Sequence, residues 1–468
     1  MKKQLLKLAL VSALFAQLPL GLMAQNNSAL TDEIIAHANM LGQKASQSDL
    51  AYQVVKSLTT EVGPRKVGSA GDAKAVKWAV EKMKAYGFDR VWTEPVVVPG
   101  WHRGPISAAK IMLPFEHKMA VTALGNSVAT PKDGITAEIV QFDEYKDLVA
   151  APANSLKGKI AYISFRMEGT GLKGYSYAGQ ARHNGSVAAA KAGASAIIIR
   201  SIGTDDNRTP HTGSMGYADG VKKIPAAAIS NPDADLLESV LSYNKPVTVF
   251  LKLTSHAADP VTTYNVLGEI TGTDEPEKAI TIGAHLDSWD EATGALDDGV
   301  GVGIMMAAAK HIIDGGKKPK RSIRVLLFAA EEIGLLGAAQ YVKDHKDDMD
   351  NHILGAEWDS GTGYITEMEP GVGPMALNVV REMGAVFAPY GVATSQKNTA
   401  KGDSDMSRLG NAGMPAVNLI SEIGYYMDYH HTANDTLDKV NREAIKQNSA
   451  IYAMFAWMAA SMDVDYRK

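Results

Sequence analysis

Two short apolar runs in the second half of the chain, residues 280–284 and 323–330, each stop at side chains able to hold a metal: His285 and Asp287 after the first, Glu331 and Glu332 after the second. Runs of this length with no polar alternation predict strands buried on both faces, as in a parallel sheet. Between them lie an acidic, glycine-containing loop at 290–298 and a helical stretch over 299–313. Strand–helix–strand order is the grammar of a doubly wound, mostly parallel α/β sheet, whose sites gather outside the carboxyl ends of the strands. The alternation continues with predicted strands at 264–270, 353–358 and 415–420. Residues 442–462 read as an amphipathic closing helix, with Ile445, Ile451, Phe455 and Met458 on a face assigned to the core.

Toward the N-terminus, residues 29–86 carry apolar positions at helical three-to-four spacing. The Gly- and Pro-containing stretch 61–72 breaks them, Asp72 is the expected N-cap of the second helical run, and Gly87 is its expected stop. A strand follows at 90–98 and is expected to end at Pro99-Gly100. From about residue 113 to 255 the texture changes to short β-like runs and turns, including a strand at 157–165, a small-residue helix at 185–194 and a strand at 196–200. The GKIAYI run at 158–163 and the K-x-G-A-x-A-I-I-I unit at 191–199 resemble a protease-associated domain, a small β-rich module. The expected organisation is therefore a leader at 1–24, an N-terminal part of the main domain at 25–115, a protease-associated-like insert at 116–256 and a C-terminal part at 257–468 carrying the candidate site.

Length agrees with that division, because 468 residues exceed what one ordinary core accommodates. A basic start, an apolar centre and Ala24 give residues 1–24 the layout of a secretory signal peptide, with cleavage expected near Gln25. The competing reading is an uncleaved anchor helix, against which Lys7 and Gln17 shorten the apolar run. Export places the mature chain in the periplasm or beyond. Removing Lys2, Lys3 and Lys7 takes the formal charge from −5 to about −8, which disfavours a nucleic-acid partner. Cysteine is absent, so disulfides and thiolate ligands are excluded, and any metal must be held by imidazole and carboxylate.

That donor set recurs at the predicted strand ends. His285 and Asp287 stand two apart; Asp297 and Asp298 are expected to begin a helix; Glu331 and Glu332 are adjacent; Asp359 ends a strand in EWDSGTG; His430 and His431 open HHTANDT. Each element alone is ordinary surface chemistry, but all are expected on one edge of one sheet, where buried acids are costly unless a metal or hydrogen bonds offset them. Two nearby zinc ions would further need a carboxylate shared between them. Gly299, Gly301 and Gly303 do not form a dinucleotide loop, since their spacing is G-x-G-x-G after an acidic loop. Ser360 and Ser421 lack the G-x-S-x-G context of a serine hydrolase.

Together AHLDS (284–288), GALDDG (294–299), AAEEIGLLG (329–337), D-x-G (359–361) and HHTxxDT (430–436) resemble the co-catalytic dizinc exopeptidases, the family of bacterial zinc aminopeptidases and glutamate carboxypeptidase. The resemblance implies an exported enzyme that binds two Zn2+ and hydrolyses the terminal bond of small peptides or dipeptides through a metal-bridging water. It implies that Asp297 bridges the metals, that His285 and Asp359 complete one, and that Glu332 and His431 complete the other. Glu331 is left as general base, with Asp287 orienting the His285 imidazole. His431 rather than His430 is the expected ligand because it opens H-T-x-x-D-T. His430, where some relatives carry tyrosine, is read as an oxyanion or substrate-carboxylate contact or as a structural histidine. The alternative within the architecture is a non-hydrolytic member, a cyclotransferase or a receptor-like peptide-binding protein; such chains usually lack a ligand, whereas every position is filled here. A plain peptide- or carbohydrate-binding protein would leave the acidic cluster unexplained. A homodimer is expected by analogy.

Overall fold

A computed structural model describes residues 28–169 and 172–468; the expected leader lies outside the described residues. The chain opens with α1 (Asp32–Ser46), α2 (Leu50–Ser57) and α3 (Ala70–Tyr86) and then enters β1 (Arg90–His102). Gly87 ends α3 in the left-handed conformation, as expected, but the N-cap is Ser69, whose Oγ accepts the Asp72 N–H. Asp72 turns away because its carboxylate has two better donors, Gly68 N at 2.8 Å and Thr263 Oγ1 at 2.9 Å. β1 also runs past the expected stop at Pro99-Gly100. It is an edge strand, where a missing N–H is tolerated, and it absorbs Pro99 through a register shift between Val98 and Gly100.

The chain then builds a second sheet from β2 (Ser107–Leu113), β3 (His117–Met119), β4 (Val121–Ala123), β5 (Ile135–Phe142), β6 (Ile160–Ile163), β7 (Ala196–Arg200), β8 (Ala226–Ile229) and β9 (Thr248–Leu253). Its order is β3-β2-β9-β5-β6-β7-β8-β4, with helices α4 (Tyr145–Val149), α5 (Leu172–Lys191) and α6 (Asn231–Leu241) between strands. Because β2 pairs here, the chain leaves the first sheet between β1 and β2, ahead of the expected boundary at 115/116.

The return to the first sheet runs through β10 (His256–Ile270), β11 (Glu275–His285), α7 (Val300–Asp314), β12 (Arg321–Phe328), α8 (Leu336–Asp344), β13 (His352–Glu357), β14 (Ile365–Gly371), α9 (Leu377–Ala385), β15 (Ala393–Thr394), α10 (Met406–Asn411), β16 (Ala416–Ser421), α11 (Tyr426–Tyr429) and α12 (Arg442–Ser461). The sheet has eight strands in the order β1-β10-β12-β11-β13-β16-β14-β15. It is a mixed sheet in which parallel pairs predominate. β12, β11, β13 and β16 run parallel at the centre, while β1, β10 and β14 pair antiparallel at the flanks.

Both faces of the central strands are covered, which is why their sequences read as unbroken apolar runs. Ile323, Val325 and Leu327 of β12 belong to the core beneath α7 and α12, whereas Leu326 and Phe328 pack with Ala338 of α8 and Met406 and Leu409 of α10. α12 is buried on every side from Gln447 to Ser461 rather than along one stripe, because it lies between α1 and α7. The glycine series opening α7 has a packing cause. A Cβ on Gly303 would stand 2.8 Å from the Ala51 carbonyl of α2, and one on Gly301 would stand 2.1 Å from the Asp298 carboxylate. Among the described residues no helix is long and apolar enough to cross a membrane.

Candidate metal centre

Four loops leaving the central strands converge on one edge. β11 ends at His285, and Leu286 N still donates to Phe328 O at 2.7 Å, locking the exits of two neighbouring strands together. Beyond β12 the chain turns at Ala330, which has a positive φ, and Gly334 N and Leu335 N both donate to the Glu331 carbonyl, fixing Glu331 and Glu332 in a tight turn. Beyond β13, Trp358 N donates to Gly283 O at 3.1 Å and Asp359 follows. Asp297 and Asp298 do not begin the helix. Both have non-helical backbone, and α7 starts at Val300. The reason is local: Asp298 folds back to cap the helix, accepting Gly301 N at 2.9 Å and His285 N at 3.3 Å.

These loops assemble two groups of potential ligands that share one residue: His285, Asp297 and Asp359 in one, Asp297, His430 and His431 in the other. His285 Nε2 lies 3.0 Å from Asp297 Oδ1 and 3.7 Å from Asp359 Oδ1. On the other side, His431 Nε2 lies 3.4 Å from Asp297 Oδ2 and 3.0 Å from Glu332 Oε2. The His430 ring stacks on His431 with centroids 3.6 Å apart, and its Nε2 is 3.5 Å from the same Asp297 oxygen, but only His431 is paired with Glu332. Asp287 lies behind this group. Its Oδ1 accepts Glu331 N at 3.1 Å and stands 3.6 Å from His285 Nδ1, so it touches both strand-end loops. Glu331 faces the cleft, where Ser404 Oγ donates to its Oε1 at 2.8 Å.

Crowding acids out of water raises their proton affinity. Burial, followed by the charge of Asp297, pushes Glu332 well above the usual carboxylate range. Burial pushes Asp298 well up too, and Glu331 is pushed up to about 8 by burial reinforced by Asp359, Asp297 and Asp287. His431 and His430 move the opposite way, His430 to about 4, because burial disfavours the charged imidazole. Burial alone would also lower His285, but its contacts with Asp287, Asp297 and Asp359 prevail and hold it raised. Several oxygens here have no hydrogen-bond partner although buried: Asp287 Oδ2, Asp297 Oδ2 and Glu332 Oε1. Neutral imidazoles beside partnerless carboxylate oxygens form a donor set that suits divalent cations.

Some residues that shape the site were not singled out from sequence. Asp435 Oδ1 accepts Leu296 N at 2.6 Å and its Oδ2 accepts Asp297 N at 3.2 Å, so it holds the shared carboxylate by its backbone; its place in HTANDT was the available signal. Ser404 was within reach through the acidic GDSD segment at 402–405. Arg65 is fully buried and donates to the carbonyls of Leu286, Thr293 and Gly294, tying down the loop that leads to Asp297. Tyr175 and Arg182 come from α5 of the second sheet and close one side of a cleft of about 360 Å³ over the cluster. Neither lies in a motif, and only the fold brings them there.

"Peptidase family M28" matches residues 265–456, the stretch holding every strand-end residue above. Human carboxypeptidase Q is 34% identical over 418 residues, spanning 88% of this chain and 86% of its own length. The chain belongs to peptidase family M28. This is the resemblance that the five motifs carry. Two solved structures extend the likeness beyond the matched stretch. A peptidase M28 precursor from Shewanella amazonensis SB2B is 50% identical with a TM-score of 0.92, covering 93% of this M28 chain and 99% of that one. A zinc aminopeptidase from Bacillus subtilis shares the fold, with 21% identity and a TM-score of 0.64 over 89% and 98% of the two chains.

Asp435 gives a test of the site's architecture. Asp435→Asn removes the charge and leaves one of the two backbone N–H groups of 296–297 without an acceptor. Zinc affinity, measured by competition with a chromophoric chelator, should fall roughly 10–100-fold, as for other groups that orient a ligand. Unchanged affinity would show that Asp297 needs no such support.

Proposed function

We propose that the protein is an exported metallo-exopeptidase that holds two zinc ions and hydrolyses the terminal peptide bond of small peptides, with a preference for substrates bearing a free carboxylate. The observation that carries the reading is Asp297, which faces His285 and Asp359 with one oxygen and the His431–Glu332 pair with the other. On this reading His285, Asp297 and Asp359 hold one ion, and Asp297, Glu332 and His431 hold the second. Bound zinc supplies the Lewis acidity that makes water nucleophilic near neutral pH and polarises a peptide carbonyl. Glu331 is the general base: it faces the cleft and keeps its second oxygen free of Ser404. It takes the proton of the attacking water and returns it to the leaving amine. Asp287 orients His285 and, through Glu331 N, the turn that carries the base.

Specificity is read from the roof of the cleft. Arg182 is buried, donates to Tyr175 OH at 2.6 Å, and among the described residues has no carboxylate within ion-pair distance. A buried guanidinium without a counter-ion is costly, and a substrate carboxylate entering the cleft offsets that cost. His430, stacked beside His431, is placed to contact the same end of the substrate or the oxyanion. The roof belongs to the insert, which we take to be a protease-associated-like lobe. The non-hydrolytic alternative is disfavoured because it needs none of the paired roles of Glu331 and Glu332.

The adjacent glutamates separate base from ligand. Glu331→Gln should keep both zinc ions while kcat falls by about 10²–10⁴-fold with KM little changed. Glu332→Gln should bind zinc more weakly and recover activity as zinc is raised; the opposite pattern would reverse the two assignments. Arg182→Met retains the apolar stem and removes the charge. Wild-type protein should favour a dipeptide over its C-terminal amide, and the variant should lose that preference through KM; an equal preference in both would remove Arg182 from recognition. Export is checked by the intact mass of the processed protein, expected to begin near Gln25, whereas a mass that retains Met1 would favour the anchor.

A further inference from the structure

One segment of the second sheet's lobe reaches into the candidate centre from behind. His211 and Asp205 are both buried, and neither lines the cleft. His211 Nε2 stands 2.7 Å from Asp205 Oδ1, and His211 Nδ1 stands 2.7 Å from the backbone carbonyl of His430. Both partners are oxygen acceptors, so in each contact the ring N–H is the donor, Nδ1 to the carbonyl and Nε2 to the Asp205 carboxylate. The next residue completes the grip: Thr212 N donates to His431 O at 2.9 Å. Thr212 O lies 3.3 Å from His431 Nδ1 and receives its proton, since the other neighbour of that nitrogen, Arg182 Nη1 at 3.4 Å, can only donate. That assignment leaves His431 Nε2 free to face Glu332 and Asp297.

The held segment needs holding. His431 has φ of 61°, a left-handed conformation disfavoured for a residue with a side chain. Its flanks are tethered to the same lobe, with Thr204 Oγ1 donating to Asp428 at 2.5 Å and Asn434 Nδ2 to Thr209 Oγ1 at 3.1 Å. The clamp is itself anchored from the other strand-end loop. Arg103 donates to Thr212 Oγ1 at 3.2 Å and pairs with Asp290 at 2.6 Å, in the acidic loop that leads to Asp297.

We propose that the inserted lobe is a working part of the metal centre: Asp205 and His211, with the Thr212 backbone, are positioning residues that hold His430 and His431 so that His431 can ligate one of the two zinc ions. The inference rests on the two-zinc reading above and goes beyond it, because it gives the lobe a role in metal affinity separate from covering the cleft. It also makes the two metals unequal. The ion on His285 and Asp359 is held by residues of the first sheet alone, whereas the ion on His431 and Glu332 depends on a second lobe.

The test is a zinc titration of purified wild type, His211→Ala and Asp205→Asn against a chromophoric chelator, with the melting temperature of each zinc-free protein measured in parallel. Wild type should bind two zinc ions. His211→Ala should bind one of them about 10–100-fold more weakly and the other within a few-fold of wild type, with the zinc-free melting temperature little changed. Asp205→Asn keeps an acceptor for the ring but loses the charge, and should shift the same ion by less. If His211→Ala does not accumulate as folded protein, the Asp205→Asn titration carries the decision. Wild-type affinity at both ions, or equal weakening of both together with a lower zinc-free melting temperature, would overturn the proposal in favour of a merely structural role. A wild type that binds no zinc would fail at the earlier step and sink the two-metal reading with it.

Discussion

Mutual repulsion among buried acids is the constraint around which this protein is arranged. Asp287, Asp297, Asp298, Glu332 and Glu357 are nearly inaccessible to water, with Asp359 and Glu331 beside them, and several of their oxygens accept no hydrogen bond. Burial first, and the charges of neighbouring acids after it, raise the proton affinity of Glu331, Glu332, Asp298 and Glu357, while contact with His285 holds Asp359 lowered. Packing of the surrounding core must hold the cluster together, because the acids themselves push apart. The rigid frame for that purpose is the parallel centre of the first sheet, covered on one face by α7 and α12 and on the other by α8 and α10.

The frame alone does not aim the side chains; buried polar groups reaching across from distant parts of the chain do. Arg65, from the loop before α3, binds three carbonyls of the loop after β11. Asp435, after α11, seats the backbone of 296–297, and Asp287 joins the exits of β11 and β12. Each fixes a loop through its backbone, leaving the neighbouring side chain free to face the centre. Opposed signs also meet here: Arg65 is a buried guanidinium behind the acidic loop, and Asp435, Asp287, Asp298 and Asp297 offset part of the cost of burying it.

Legibility in the sequence followed the range of the interactions involved. The strand ends bearing His285, Glu331, Glu332 and Asp359 were readable because a strand buried on both faces must be apolar along its length, so its first polar residue marks its exit. Gly87 was readable for a similarly local reason. The misread positions answer to partners far away in sequence. Asp72 looked like an N-cap until Thr263 claimed its carboxylate; Pro99-Gly100 looked like a strand end until edge pairing with β10 carried β1 past it; α12 looked amphipathic because its outer face is covered by α1. The antiparallel pairing of β1, β10 and β14 left no signal, because βαβ grammar describes the centre only. Arg182, His211 and Asp205 left no signal, since their relevance depends wholly on how the second lobe docks.

That docking bears on why a peptidase of this family would carry a second lobe against its site at all. A histidine delivered by a loop after a short helix, with positive φ and with the buried His430 ring and the Arg182 guanidinium as neighbours, is the least favoured of the candidate ligands to hold ready in the absence of a cation. Ordering such a loop only on metal binding would subtract the ordering cost from metal affinity. Ordering it beforehand transfers that cost to folding, where a large core absorbs it. The contacts at 203–212 have the character of the second solution: backbone carbonyls and amides of the ligand loop are met by fixed partners in a lobe with its own packed sheet. The same lobe carries α5 over the cleft, so the contacts that steady His431 and the Arg182 guanidinium are built on one sheet. Under the proposed two-metal reading, metal retention and substrate recognition would be coupled through the lobe rather than through the metals alone.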